Sequence, residues 1–389
     1  MIADNPAGRV LALACVLTFL HYTGAYMRVP ILPLYASLHG ATPTDVGLIV
    51  GAHTALAALS AIPFGYAADR WGRRALLLGG MTLSAATSLL LPLVEGPLAL
   101  AAIYGAAGLG VAAFTPALMS LVGDVAAPGT IARAYAWYTT ALFTAFGLGP
   151  ILGGWVTGLG GHRAAFVVAG AIIATALALG APLPETGARR GRGARAAAFD
   201  ELRRNRRVWA VWIATIAGLA PSGAILTFFP LLGRERGFTP LVIGLILGVL
   251  SFANTIVRLP AGWLLDRTRA RRPWIVGGLL LAALGTALVP HLRAPGDFLV
   301  LGAALGVVLA VTFVAIGAAL GEATGPATRG LALGGYSTAI YTGFGLASVG
   351  LGPLVTHWGW APAFALIGGA TALGALVAAV VWDASSGSV

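Results

Sequence analysis

Four ionisable side chains lie inside long apolar stretches of this chain: His21, Arg28, His53 and Arg258. Such groups are costly in an apolar environment, so they are candidate functional groups. A guanidinium group binds a carboxylate or phosphate through paired hydrogen bonds, and an imidazole takes up or releases a proton near neutral pH. None of the 13 Asp and Glu residues lies near the middle of an apolar stretch. The pattern predicts a positive or neutral interior that suits an anionic or neutral solute.

The two arginines are candidate substrate-binding residues. Arg258 has Asn254 one helical turn before it, and the arginine either binds a ligand or bonds to neighbouring helix carbonyls and holds the helices together. The depth of Arg28 is ambiguous, because its apolar stretch exceeds one bilayer span. Counted from the turn at Gly40 it lies about 18 Å deep, and counted from Gly8 about 30 Å along, near the outer surface, where its charged end would extend into water.

The histidines are candidates for carrying a coupling proton, because no carboxylate is central. His53 lies near the middle of its stretch, with His21 as the second candidate. A neutral histidine hydrogen-bonded between helices is an equal alternative for His53. Tyr26, Tyr104 and Tyr341 are candidates for an aromatic cavity wall, with core packing as the simpler alternative for each.

Membrane-spanning helices must position these residues. The chain of 389 residues is 58% hydrophobic and 10% charged, with a mean hydropathy of +0.88, so it has too few polar groups to cover a soluble globule. About 20 apolar residues cross a bilayer as a helix. Twelve such stretches are present: 9–38, 44–67, 75–94, 98–123, 131–157, 163–183, 208–232, 240–265, 274–292, 297–321, 329–356 and 361–382. The first is too long for the apolar core of a cleaved signal and is expected to be retained.

Charge and cysteine content exclude other classes. The net charge is +11, but all 24 basic residues are arginines that cluster between apolar stretches, which is typical of membrane orientation rather than nucleic-acid binding. Cys15 is the only cysteine, which excludes disulfide frameworks and thiolate metal sites. The helices contain no nucleophile motif of an enzyme and no rings of polar residues of a channel.

The arginines also predict orientation. With a cytoplasmic N-terminus, 18 of the 24 fall on the cytoplasmic side, and only Arg163, Arg234, Arg236 and Arg293 fall outside. Both termini are therefore expected in the cytoplasm, with the chain in the plasma (inner) membrane. The segment 184–207 is expected to be a cytoplasmic basic linker, in which 199–204 form either a short interfacial helix or solvated chain.

The second half of the chain repeats the first. A shift of 197 positions pairs Pro33 with Pro230, Gly40 with Gly237, Gly47 with Gly244, Gly51 with Gly248 and Pro63 with Pro260. Duplicated halves of this kind build many secondary transporters. We therefore predict an all-α membrane protein of twelve transmembrane helices in two pseudo-symmetric six-helix halves, 1–183 and 208–389.

One segment resembles the signature loop between helices 2 and 3 of the major facilitator superfamily, which runs Gly, three residues, Asp-Arg, one residue, Gly-Arg-Arg. The matching residues are Gly65, Asp69, Arg70, Gly72, Arg73 and Arg74. A degenerate copy after helix 8 contains Asp266 and Arg267, and Asp124, Arg133 and Glu322 complete a charge cluster on that side. The resemblance implies a latch that holds the outward-facing state and breaks during alternating access, with ordinary interfacial ion pairs as the alternative. Gly65 is expected to let two helices approach closely.

Three further helices bear on the mechanism. In helix 5, the run from Gly149 and Pro150 to Gly153 and Gly154 resembles the antiporter motif of drug:proton exchangers in that superfamily, with close helix packing as the alternative. In helix 4, Tyr104 stands where these antiporters often have arginine. In helix 8, the surroundings of Arg258 are similar to the substrate-arginine region of oxalate and monocarboxylate carriers.

These features predict a secondary active transporter, not an enzyme. We expect proton-coupled export, by antiport, of a small anionic or neutral amphiphilic solute through alternating access. A proton-linked organic-anion (carboxylate) symporter is the alternative. We expect a monomer in the lipid bilayer whose partners are its solute and protons, with no cofactor, metal or nucleic acid.

Overall fold

A computed structural model of the chain describes residues 6–126, 130–185, 201–268, 270–325 and 328–383. The side chains of Asp69 and Arg329, and most of the expected basic linker, lie outside the described residues. Of the alternatives for residues 199–204, the structure describes 201–204, which are helical. The described residues are otherwise almost entirely helical and contain no strand.

The helices follow the predicted apolar stretches closely. They are α1 Pro6–Leu38, α2 Pro43–Trp71, α3 Arg73–Leu90, α4 Pro97–Val125, α5 131–160, α6 162–180, α7 Arg206–Glu235, α8 Pro240–Thr268, α9 Arg271–Leu288, α10 Pro295–Glu322, α11 Arg329–Trp358 and α12 Trp360–Asp383. The α5–α6 stretch is continuous except at Gly161, whose φ of 78° interrupts it. Among the described residues, eleven helices are long and apolar enough to cross a membrane, and the 48-residue Arg133–Gly180 counts once. At about 1.5 Å per residue that stretch is twice the length of one crossing, so the prediction of twelve spans is confirmed.

Glycines at equivalent positions of the two halves make the turns. Gly40 and Gly237 have φ values of 82° and 78°, and Gly161 and Gly359 have 78° and 79°. A positive φ is readily adopted by glycine and rarely by other residues. The same backbone turns therefore recur at a spacing of 197 or 198 residues, which agrees with the repeat seen in the sequence.

The buried cores differ between the two ends of the bundle. We call the end that carries Gly40 and Gly237 the turn end, and the end that carries Gly72 and Arg271 the linker end. At the turn end a single core contains residues of both halves, including Ile31 and Phe228. At the linker end each half has its own core, one drawn from residues 14–183 and the other from residues 202–378. The two halves are thus joined at the turn end and packed separately at the linker end.

Candidate functional site

Glycines close the space between the halves at the turn end. A side chain at Gly47 of α2 would collide with the backbone of Ser348 in α11, and one at Gly244 of α8 would collide with the backbone of Pro150 in α5. Position 348 is the 198-residue equivalent of position 150, so both contacts are the same contact made twice. Only glycine allows helices to approach this closely.

The same α2–α11 contact includes a polar pair. The Oγ1 atoms of Thr44 and Thr356 lie 3.1 Å apart. At the linker end, by contrast, a Cβ built at Gly65 would have no heavy atom within 4 Å. The prediction that Gly65 brings two helices together is therefore wrong for this conformation, because the linker ends of the halves are packed separately.

Arg28 points into the bundle. Its side chain is 1% exposed, and its Nε and Nη1 atoms have no hydrogen-bond partner among the residues that the structure describes. Its Cζ lies 5.7 Å from the centre of the Tyr104 ring in α4. Of the two depths left open by the sequence, the buried one is correct, and a water-facing arginine at the outer surface is excluded.

His53 also contacts the Tyr104 ring. Its ring stacks on Tyr104 with centroids 4.4 Å apart, and its Nδ1 donates a hydrogen bond to the Tyr104 carbonyl at 3.0 Å. A side chain at Gly108 would collide with the backbone of His53, so α2 and α4 approach closely here. The Tyr104 ring therefore contacts His53 and lies close to Arg28.

His21 is the second buried group without partners. It is fully buried, stacks on Phe114 at 3.9 Å, and within the described part of the chain has no hydrogen bond at either ring nitrogen. Arg28 interacts electrostatically with both His21 and His53. Buried polar groups normally have partners, so this cluster of Arg28, His21, His53 and Tyr104 has unused capacity for hydrogen bonds and charge. We call it the α1 cluster.

Arg258 is arranged differently. Its Nε donates to Asn254 Oδ1 at 3.0 Å, and Asn254 Nδ2 donates to the Gly306 carbonyl at 3.2 Å. The Arg258 Cζ lies 3.7 Å from the centre of the Phe143 ring in α5. This arginine thus contacts the opposite half through a cation–π interaction, and it is only partly buried.

Aromatic rings connect the two arginine regions. Tyr26 stacks on Phe146 at 3.9 Å, and Phe146 contacts Phe143 at 5.4 Å. The Tyr22 hydroxyl is 2.6 Å from Thr115 Oγ1, and Tyr341 of α11 interacts with Thr115 from the other half. Of the predicted tyrosines, Tyr26 thus belongs to a chain of ring contacts that ends at Phe143 beside Arg258, and Tyr341 reaches Thr115 from the second half.

The motif in α5 has two faces. A side chain at Gly149 or Gly153 would collide with α1 at Tyr26 or Met27, whereas one at Gly154 would collide with α8 at Pro240. Close packing, the alternative to a specific antiporter role, is therefore what these glycines provide in this conformation. Gly149 and Gly153 let α1, which carries the cluster, pack directly against α5. Gly154 lets α5 pack against α8 of the opposite half.

Ion pairs at the linker end repeat in the two halves. Arg73 pairs with Asp124, and Arg271 pairs with Glu322 at 2.9 Å and with Asp266 at 3.6 Å. These described pairs each lie within one half. Arg70, Arg133 and Arg267 are exposed at the same end, and Arg74 donates to the Ala181 carbonyl at 2.8 Å. None of the described pairs at this end bridges the halves.

Two acidic residues complete this arrangement and were not predicted. Glu185, just after α6, accepts hydrogen bonds from the backbone N–H groups of Arg73 and Arg74 at 2.6 and 3.2 Å, so its carboxylate lies at the positive N-terminus of α3. Its 198-residue equivalent, Asp383, pairs with Arg272 at the start of α9. A side chain at Gly72 would collide with the Glu185 carboxylate, which explains the glycine of the loop motif. The spacing of 198 residues was the signal that could have revealed this pair.

The repeated ion pairs and the twelve helices agree with a direct sequence comparison. The family model described as Major Facilitator Superfamily matches residues 14–292 and 222–388. The chain belongs to the major facilitator superfamily. As a member of this superfamily of transporters it is a multi-pass membrane protein.

Named relatives within the superfamily match only part of the chain. The inner membrane transport protein YajR of Escherichia coli (strain K12) is 30% identical over 161 residues, which cover 41% of this chain and 35% of YajR. The quinolone resistance protein NorA of Staphylococcus aureus (strain MRSA252) is 29% identical over 157 residues, which cover 40% of this chain and 39% of NorA. The chain thus spans less than two-fifths of the length of either relative.

Solved structures share the whole fold. A bacterial homologue of the human lysosomal transporter Spinster, in an inward-facing and unoccupied conformation, superimposes with a TM-score of 0.81 at 16% identity, covering 99% of this chain and 98% of that one. The nucleoside transporter NupG gives a TM-score of 0.78 at 15% identity over 96% of this chain and 100% of its own. At this identity the likeness shows the superfamily fold alone.

Proposed function

We propose that the chain is a proton-coupled exporter of a small anionic or neutral amphiphilic solute, working as an antiporter by alternating access in the plasma membrane. In this proposal the linker end faces the cytoplasm with both termini, and the structure corresponds to the inward-open state. The shared core at the turn end and the separate cores at the linker end support that assignment. The partial similarity to NorA, a quinolone resistance protein, supports export.

The observation that carries the proposal is the unsatisfied α1 cluster. Leaving buried donors without partners costs about 1–3 kcal/mol per group, and more for a charged group. The Nε and Nη1 atoms of Arg28 and both nitrogens of His21 are in this situation. A solute carboxylate supplies two acceptors to the guanidinium group, and the histidines supply a site for a proton. The proposed solute site consists of Arg28, Arg258, Asn254, Tyr26, Tyr104 and Tyr341. The proposed proton carriers are His53 and His21.

The linker-end charges act as the latch in this proposal. Asp69 and Asp266 end equivalent helices, and the described ion pairs at this end lie within single halves, as an unlatched state requires. Closing the linker end would bring the loop motif of α2 against α11 and form the latch. Gly154 of α5 would then have to slide against α8, because that contact lies between the moving halves.

A second candidate is a proton-linked organic-anion symporter, and one electrostatic interaction favours it. Arg28 interacts electrostatically with both histidines. An anion bound at Arg28 offsets this positive charge, so it favours protonation of His21 and His53, and by linkage the proton favours anion binding. When anion binding and histidine protonation favour each other in this way, proton and solute move together, which is symport. A neutral solute whose binding displaces the proton gives antiport instead.

Proton flux in proteoliposomes separates the two candidates. A solute gradient should drive protons against the solute in an antiporter and with the solute in a symporter. The wild type and the Arg28→Gln variant are compared with a panel of monocarboxylates and neutral amphiphiles. Solute movement with no proton movement in either direction would contradict both candidates.

A further inference from the structure

A positively charged cavity lies at the turn end, about ten residues along α1 from Arg28. Its volume is about 170 Å³. Its wall is formed by apolar side chains of both halves together with one histidine and one arginine: Leu34, Leu38, His162, Arg234, Phe238 and Ile243. Leu34, Leu38 and His162 belong to the first half, and the other three belong to the second.

The charge of this cavity is positive. Arg234 is exposed, and its Nη1 donates to Ser37 Oγ, a neutral acceptor, at 2.8 Å. Arg234 and His39 both interact electrostatically with His162. Among the described residues, no ion pair joins a carboxylate to Arg234.

The nearby carboxylates are engaged elsewhere. Glu95 lies 2.7 Å from Arg163 Nη2 and 3.6 Å from His39 Nε2. Glu235 accepts a hydrogen bond from Trp360 Nε1 at 2.6 Å. The guanidinium group of Arg234 therefore faces an apolar cavity and an imidazole, with only a hydroxyl as its described acceptor.

We propose that this cavity binds a small monocarboxylate with a compact apolar body, its carboxylate between Arg234 and His162. The planar guanidinium group matches a carboxylate in a bidentate contact, and an imidazole N–H supplies a further donor. An apolar cavity of about 150 Å³ accommodates benzene, so the apolar part of this cavity matches a body of that size. Benzoate has both features and is the probe of choice.

Occupancy has a conformational consequence. Because the wall comes from both halves, the complete cavity exists only when the turn end is closed. A ligand that binds one conformation shifts the population toward it. Benzoate bound here stabilises the turn-end-closed conformation and slows the transport cycle, independently of any solute at the α1 cluster.

Thermal unfolding of the purified protein tests this site. Benzoate should raise the Tm by about 2–4 °C at saturation, and benzamide, which has the same shape without the charge, should not. Arg234→Gln should lose the benzoate shift, whereas Arg236→Gln, which removes the same charge two residues away, should keep it. Leu38→Trp fills the cavity from a half-exposed position and should also lose the shift, so the test stands even if Arg234→Gln does not fold.

Arg28→Gln separates this site from the proposed transport site. It should keep the benzoate shift, whatever happens to transport. An equal shift with benzamide, or a shift that survives in Leu38→Trp, would overturn the proposal. A shift lost in Arg28→Gln would also overturn it, because benzoate would then bind at the α1 cluster.

Discussion

The guanidinium carbon of Arg28 lies 5.7 Å from the centre of the Tyr104 ring. Tyr104 in α4 stands where the antiporters that the sequence resembles often have an arginine, and the fold brings an arginine from α1 close to its ring. The positive charge is thus supplied to the interior by a neighbouring helix. His53 stacks on the same ring with centroids 4.4 Å apart, so Tyr104 links Arg28 of the proposed solute site to His53 of the proposed proton site.

Replacing Arg28 should affect the stability of the protein and its binding of anionic solutes in different ways. Replacing a buried, poorly partnered charge with an apolar residue of similar size is neutral or stabilising by about 1–4 kcal/mol. Arg28→Met should therefore keep or raise the Tm of the ligand-free protein while abolishing binding of anionic solutes, measured by thermal unfolding with a solute panel. Arg258→Met is the matched control: it removes the donor to Asn254 Oδ1 and should lower the Tm. A lowered Tm in Arg28→Met would show that the guanidinium group is structural.

Arg258 should discriminate solutes by charge. Arg258→Lys keeps the charge but loses the planar fork, and Arg258→Gln loses both, so affinity for anions should fall in that order. Loss of one charge-assisted bond corresponds to about 1.5–3 kcal/mol, or roughly ten- to a hundredfold in Kd. Neutral solutes should bind almost normally. If Arg258→Gln binds every solute normally and only lowers the Tm, its contact with Phe143 serves packing alone.

The turn-end contact should require glycine on one face of α5 only. A side chain at Gly154 would collide with α8, whereas one at Gly158, a turn later, would have no heavy atom within 4 Å. Gly154→Val should therefore abolish transport by preventing closure of the turn end, and Gly158→Val should transport normally. Equal activity of the two variants in proteoliposomes would show that this contact is not part of the cycle.

The two aspartates of the proposed latch should differ. Asp69→Asn should abolish transport while leaving insertion and folding intact. Asp266→Asn should have the milder effect, because the second copy of the loop motif is degenerate and Asp266 pairs with Arg271 at only 3.6 Å while Glu322 holds the same arginine at 2.9 Å. Flux and surface insertion are measured together for both variants, and normal flux in Asp69→Asn would remove the loop motif from the mechanism.

The sequence predicted the fold well because its signals are local or periodic. Apolar stretches gave the helices within a few residues, and repeated glycines such as Gly40 and Gly237 gave the duplicated turns. The sequence did not predict side-chain directions, because the depth of Arg28 depends on how α1 packs against α4 and α5. Glu185 was missed because it acts on α3 from more than a hundred residues away. Gly65 was misjudged because its neighbours depend on which end of the bundle is open.

A disulfide tests whether the turn end opens. The Oγ1 atoms of Thr44 and Thr356 lie 3.1 Å apart across the halves, and Cys15 is the only native cysteine. In a Cys15→Ser background, Thr44→Cys with Thr356→Cys should form a disulfide that blocks transport, and reduction should restore it. Each single cysteine variant serves as control. Full transport in the cross-linked protein would mean that the halves need not part at this end.

Proton movement tests the central claim most directly. Proteoliposomes containing an internal pH indicator are given solute gradients, in the wild type and in the His53→Ala, His21→Ala and doubly substituted proteins. The proposal predicts solute-driven proton flux in the wild type, opposite in direction to the solute. It also predicts loss of that flux in the double variant, with exchange at equal solute concentrations retained. Undiminished proton coupling in the double variant would contradict the claim that the histidines beside Arg28 carry the proton.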